Sequence, residues 1–180
     1  MGIALAVVMR HEPIDNPWIT HRWVLDEVSV DLGQYAQVTI QESFHVEEIK
    51  AYVLGNSEHG QRWLFTGFYL DIFADEAEGY FLNITSEAPC WFVMWRLEEV
   101  TALSVQHIAV PHRIMLSYNE AARLLDGGEQ VDQLSIDPLI LESLQQFVAE
   151  NYRPEVKKRH RPESFKGADR GQDKKGAGHE

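Results

Sequence analysis

Apolar residues follow a two-residue rhythm through most of the chain and a three-to-four-residue rhythm only near its end, which predicts strands first and helices last. Ile3 to Met9 is apolar and β-branched enough for a buried strand, stopped by the polar, proline-containing residues 10–17. At residues 22–30, Trp23, Leu25 and Glu27 alternate with Val24, Asp26 and Val28, a second strand. Residues 31–61 carry the weakest pattern, with strands predicted at 36–40 and 49–54 before the turn-rich Gly55-Asn56-Ser57-Glu58-His59-Gly60. From Arg62 to Phe73 both alternating faces are apolar, as in a central strand covered on both sides. After a reverse turn at 75–79, Tyr80, Leu82 and Ile84 alternate with Phe81, Asn83 and Thr85. After a loop at 86–89, Trp91, Val93, Trp95 and Leu97 alternate with Phe92, Met94, Arg96 and Glu98. These three strands read as an antiparallel meander, to which residues 100–108 add a fourth.

Two helices are then marked by their ends. Ser117-Tyr118-Asn119-Glu120 fits a capping box, followed by an apolar stripe of Tyr118, Ala121, Ala122 and Leu125 and closed by Gly127-Gly128. Asp137-Pro138 is an N-cap followed by a first-turn proline, and Ile140, Leu141, Leu144, Phe147, Val148 and Tyr152 recur at helical spacing. That face needs a sheet to pack on. The expected class is α+β: an antiparallel meander, which could close into a barrel, with two C-terminal helices.

Charge divides the chain again. Residues 1–152 hold 7 basic and 23 acidic side chains, whereas residues 153–180 hold 9 basic and 5 acidic ones. Beyond Tyr152 the only apolar residues are Val156, Phe165 and two alanines, too few to offset the entropy of ordering the segment. The expected organisation is therefore a globular domain over 1–152 and a disordered basic tail over 153–180. The 180 residues suit one domain, and the longest apolar run falls far short of the roughly 20 residues that span a bilayer. Without a basic stretch before Ile3 a secretory signal is not expected, and a cytoplasmic location is. Cys90 is the only cysteine, so neither an intrachain disulfide nor a cysteine metal cluster can form within the chain.

Candidate chemistry is sparse. None of the eight histidines falls into a helical metal-binding spacing, and no metal site is predicted. Asp75-Glu76-Ala77-Glu78 gathers three carboxylates, which more simply reads as a solvated hairpin end. Ser117 is accounted for as a helix cap, Cys90 as a core thiol, and Trp63, Trp91 and Trp95 as core residues. The sequon Asn83-Ile84-Thr85 falls within an expected strand and is discounted. Phosphate-binding glycine patterns are missing. Arg96 on an apolar strand needs an anion, with Glu98 or Glu99 the nearest candidates. Trp95 and Arg96 with Asp75, Glu76 and Glu78 would form the ligand pocket, if the chain has one.

Several blocks in order carry a family resemblance. They are Arg22-Trp23, Asp75-Glu76-Ala77-Glu78-Gly79-Tyr80, Trp91-Phe92-Val93 with Trp95-Arg96, Ser117-Tyr118-Asn119-Glu120-Ala121-Ala122-Arg123, Asp126-Gly127-Gly128-Glu129-Gln130-Val131-Asp132, Tyr152-Arg153-Pro154 and Arg161-Pro162-Glu163-Ser164-Phe165. With them the chain resembles a bacterial family, domain of unknown function family thirty-three-oh-five, over most of residues 3–165 except 31–61. Genes of that family typically lie beside those of molybdenum- or tungsten-containing formate dehydrogenases and their accessory proteins. The resemblance thus implies a role in making or regulating such an enzyme. Some relatives are labelled molybdopterin-guanine dinucleotide biosynthesis protein A. The guanylyltransferases that label denotes run their first strand into a glycine-rich loop, whereas Ile3–Met9 here runs into Arg10-His11-Glu12-Pro13.

The resulting expectation is a non-catalytic accessory protein that binds a partner polypeptide, a molybdoenzyme subunit or maturation factor. Lys157, Lys158, Arg159, Arg161 and Phe165 of the tail would be its contacts. No cofactor is expected on this reading. The alternatives are a protein that binds or transfers a pterin or nucleotide cofactor of the molybdopterin type, and nucleic-acid binding through the tail. An acidic body disfavours the latter.

Overall fold

The computed structural model describes residues 2–37, 42–46, 49–57, 59–99 and 107–154. Two antiparallel sheets and three helices enclose one core. Strands β1 (Ile3–Pro13), β2 (His21–Val30), β3 (Glu42–Val46), β4 (Ile49–Ser57) and β5 (Gly60–Leu70) form a five-stranded sheet in the order β2-β1-β5-β4-β3. Strands β6 (Cys90–Glu98), β7 (Ile108–Met115) and β8 (Gln130–Ser135) form a three-stranded sheet in the order β7-β6-β8. Helix α1 (Ala77–Ile84) links the sheets, α2 (Tyr118–Asp126) joins β7 to β8, and α3 (Pro138–Asn151) packs on α1.

The α+β class and the antiparallel pairing hold, but the arrangement differs from a single meander and from a barrel, since both sheets are open. The cause is residues 80–85. Expected as a strand, they turn instead into α1, whose buried residues Ala77, Tyr80 and Asn83 recur every three positions. A short apolar run fits either rhythm, and tertiary contacts decide it. With a helix between them, β5 and β6 fall into different sheets. The 75–79 turn is likewise a 3-10 turn (Ala74–Glu76) running into the helix. Among the described residues there are accordingly three α-helices, not two.

Strands β7 and β8 lie where none was expected. Pro111 interrupts β7, which is tolerable on an edge strand because its missing N–H breaks no ladder. β8 is mostly polar, with Val131 on one face and Leu134 on the other. Of the strand expected at 100–108, residues 100–106 lie outside the described ones, as do 38–40 of the strand expected at 36–40; its described residues, 36 and 37, are not strand but the end of a 3-10 turn (Gln34–Gln37). β1 runs four residues further than expected. Arg10 and Glu12 extend it because their charges are matched across the sheet by Asp26 and Arg22.

The main core lies between the sheets and under α3. Leu5, Val7 and Met9 of β1 and Trp63 and Phe65 of β5 face Trp91, Val93 and Trp95 of β6, closed by Leu144 and Val148 of α3. The three tryptophans are core residues as expected. Across β6, Phe92 and Met94 pack with Met115 under Ala121 and Leu124 of α2. The helix ends also match the sequence. Ser117 Oγ accepts from Glu120 N (3.1 Å), Gly128 takes a positive φ of 84° beyond the end of α2, and Asp137 Oδ1 accepts from Leu139 N (2.8 Å).

Candidate functional site

A groove of about 730 Å3 opens between the end of β5 and the edge of β7, floored by α1 and flanked by α2. Its first wall begins at Gly67, whose φ of 101° places it in a β-bulge between Thr66 and Phe68. Beyond the bulge Phe68 and Leu70 turn into the core while Tyr69 is left 71% exposed. Asp71 and Phe73, the latter 58% exposed, continue this wall, and Asp75 and Glu76 follow in the 3-10 turn. The opposite wall is His112 to Leu116 with Glu120 and Arg123 of α2.

Ser117 ties the groove's base together. Its hydroxyl donates to Glu76 Oε2 (2.6 Å) while accepting from Glu120 N, and Arg123 donates to Glu76 Oε1 (2.6 Å). The Ser117 bond, aided by Arg123, holds the Glu76 carboxyl below the ordinary carboxylate range. The Glu120 carboxylate pairs with Arg113 (2.6 Å), so the serine half of the expected capping box forms while the glutamate side chain serves the groove wall. Helix α1 reaches Ser117 only because residue 79 is glycine: a Cβ there would overlap Ser117 Oγ. Tyr80 accepts from Phe73 N (3.3 Å), and burial pushes its phenol upward.

Asn83 fixes the junction behind the groove. Nearly fully buried, it donates to the carbonyls of Cys90 and Leu116 (2.8 Å each) and accepts from Cys90 N (3.0 Å). Both N–H groups and the oxygen of the Asn83 amide are thus engaged in a buried site, which accounts for this asparagine structurally. Cys90 is buried as expected of a core thiol, with its pKa raised by desolvation.

Of the residues expected to form a ligand pocket, the structure brings only Asp75 and Glu76 to this groove. Glu78 is exposed on α1. Trp95 and Arg96 project to opposite faces of β6: Trp95 enters the core and donates to Asp132 Oδ2 (2.9 Å), while Arg96 is exposed and pairs with Glu129. Glu129, not Glu98 or Glu99, is the anion that Arg96 finds; Glu98 pairs with His112. A second, shallower cleft between β2 and β8, lined by Val24, Leu25, Val131, Asp132 and Gln133, contains none of the expected pocket residues. The tail contacts Lys157, Lys158, Arg159, Arg161 and Phe165 lie outside the described residues.

Charge in the groove is unevenly matched. Two glutamates meet two arginines, but Asp71 and Asp75 have no cationic partner among the described residues. The same holds across the body. Its six arginines, Arg10, Arg22, Arg62, Arg96, Arg113 and Arg123, are all in ion pairs. Sequence reasoning missed Tyr69 and Phe73 because both sit in a run that reads as doubly covered strand; the bulge glycine at Gly67 was the one local sign of a departure.

No helix among the described residues is long and apolar enough to cross a membrane. Neither a curated protein nor a solved structure matches the chain. The family model described as "Protein of unknown function (DUF3305)" matches residues 4–161, almost the whole of the body and the start of the basic tail, and the chain belongs to that family.

Proposed function

We propose that the protein is a non-catalytic accessory factor that binds a partner polypeptide in the groove between β5 and β7. Its setting is the maturation or regulation of a molybdenum- or tungsten-containing formate dehydrogenase. The observation that carries the binding reading is the exposure of Tyr69 and Phe73 beside Asp71 and Asp75 in an open groove. Exposed aromatic rings are enriched at polypeptide-binding surfaces, where such anchors supply much of the energy, and neighbouring charges select the partner. The groove's other ionisable groups are largely engaged with one another, as befits a surface that holds rather than transforms. The setting comes from the family resemblance alone. The basic tail, with Lys157, Lys158, Arg159, Arg161 and Phe165, adds a second contact that steers the encounter by charge.

Co-expression of the full chain with the subunits and maturation factors of a formate dehydrogenase, followed by capture, tests this reading. One of those polypeptides should co-purify with the unaltered chain, and at least tenfold less with a Tyr69→Ala/Phe73→Ala variant. Both side chains are exposed, so the variant should keep its thermal transition. Equal capture by the two proteins would remove the groove from the account, and capture of none would remove the formate dehydrogenase setting.

A further inference from the structure

We propose that in the free protein the groove is occupied by the chain's own basic segment, residues 157–165, which a partner segment of similar chemistry must displace. The inference rests on the reading of the groove as a polypeptide-binding surface and names its resident occupant.

Charge complementarity is the first support. Asp71 and Asp75 stand without cationic partners among the described residues, and all six arginines of the body are already paired. The remaining basic residue of the body is Lys50; the other nine lie at 153–180. Lysine and arginine side chains not already in an ion pair of the body are therefore concentrated in the tail. Within it, Lys157-Lys158-Arg159-His160-Arg161 is the densest basic run, and Phe165 follows four residues later as the tail's lone aromatic. A cationic stretch with one aromatic anchor is the counterpart of a groove that offers two aspartates and two exposed rings, where stacking and cation–π contacts both become available.

Position is the second. The described chain ends just beyond α3, where Tyr152 packs on Phe81 of α1 with ring centroids 5.0 Å apart. The next residue along the same helix, Tyr80, lines the groove and also meets Phe147 of α3. Helix α1 has eight residues and so is only about 12 Å long. Lys157 lies five positions beyond Tyr152, a reach of about 17 Å when extended. The basic run thus begins within reach of the groove, and a tether this short holds it there at an effective concentration on the order of millimolar.

The third support is a backbone template. Among the described residues β4 pairs with β5 only as far as Thr66, leaving Gly67 to Leu70 without a strand on that side. β7 is likewise an edge strand of its own sheet. An extended segment lying in the groove can take up hydrogen bonds from such an edge, with side-chain contacts setting its register. The family match, which runs to residue 161, includes the whole basic run with the body.

A paramagnetic label in the full chain provides the test. Ser164→Cys supplies a thiol beside Phe165, and the chain's other thiol, Cys90, is buried. In low salt the label should cause loss of amide signal intensity at Gly67, Tyr69, Asp71 and Arg113. Asp71→Asn/Asp75→Asn in the labelled chain should restore those signals, as should salt near about 0.5 M, where charges are screened beyond a few ångströms. Intensities unchanged by the label at these amides, or losses that persist after both aspartates are neutralised, would overturn the inference. The partner experiment separates this failure from that of the broader reading. If the label finds no groove contact while Tyr69→Ala/Phe73→Ala still abolishes partner capture, self-occupancy alone falls. If the double variant captures normally, both fall.

Discussion

The outward faces of the two sheets are finished in opposite ways. On the five-stranded sheet, Ala6, Val8 and Leu64 are sealed without an α-helix, by Tyr35 of a short 3-10 turn (Gln34–Gln37) and by Tyr52 and Leu54 of β4. Alongside them runs a chain of ion pairs from Glu12 through Arg10, Asp26 and Arg62 to Glu27. On the three-stranded sheet Phe92, Met94 and Met115 are roofed by α2. A helix roof buries large side chains and derives its stability from apolar area, whereas a lattice of partly wet charges contributes little net energy and mainly keeps the face soluble. The difference explains where the groove lies. Helix α2 covers the small sheet only, and the exposed end of β5 faces the flank of that roof across the gap.

If the contrast is right, truncation under the roof should be far more damaging than neutralisation on the open face. Phe92→Ala should cost about 3–5 kcal/mol in chemical denaturation, the usual penalty for emptying a buried aromatic site. A cost below about 1 kcal/mol would mean that α2 is not a true roof. Next in size is Asn83→Ala at the junction between the sheets. It strands the Cys90 N–H and two carbonyls in a buried site, for an expected loss of about 2–4 kcal/mol. On the open face, Asp26→Asn, which weakens two ion pairs at once, should cost no more than about 1 kcal/mol, and less as salt is raised.

Acid titration gives the smallest effect and refines the same comparison. Hydrogen bonds from Arg22 and from Ser117 hold the carboxyls of Glu12 and Glu76, respectively, below their ordinary value of 4.5. A lowered folded-state pKa gives stability that is present above the unfolded value and lost as pH falls through the folded one. The thermal transition should therefore decline as pH drops below about 4.5. Glu76→Gln should remove part of that slope. A second, shallower decline should begin near pH 6.5, because burial, aided by the neighbouring His21, lowers the pKa of His11. His11→Gln should abolish it, and a slope between pH 7 and 5 that survives this change would assign it to another group.

What could be read from the residues followed the strength of local signals. β1 announced itself by a continuous apolar run, β2, β5 and β6 by alternation, and α2 and α3 by Ser117, Gly128 and Asp137 at their ends. Helix α1 did not. Its identity depends on Gly79 meeting Ser117 and Asn83 meeting Cys90 and Leu116, contacts made with residues up to 38 positions away. β8 shows one apolar residue per face and exists because β6 offers it an edge. The groove was only half visible. Asp75 and Glu76 stood out as a carboxylate cluster, but Tyr69, Phe73, Arg113 and Arg123 belong to separate elements and carry no shared spacing. Arg96 drew attention because an arginine in an apolar strand is conspicuous, yet its partner Glu129 lies 33 residues further on.

The amide of Asn83 also has a mechanical meaning. By bonding α1 to the backbone at the start of β6 and just beyond the end of β7, it ties the floor of the groove to its far wall. Asn83 does not reach the opposite lip at residues 67–73, which is joined to α1 through the bond from Phe73 N to the Tyr80 hydroxyl; if the groove takes a guest as proposed, that lip is where its shape is expected to adjust.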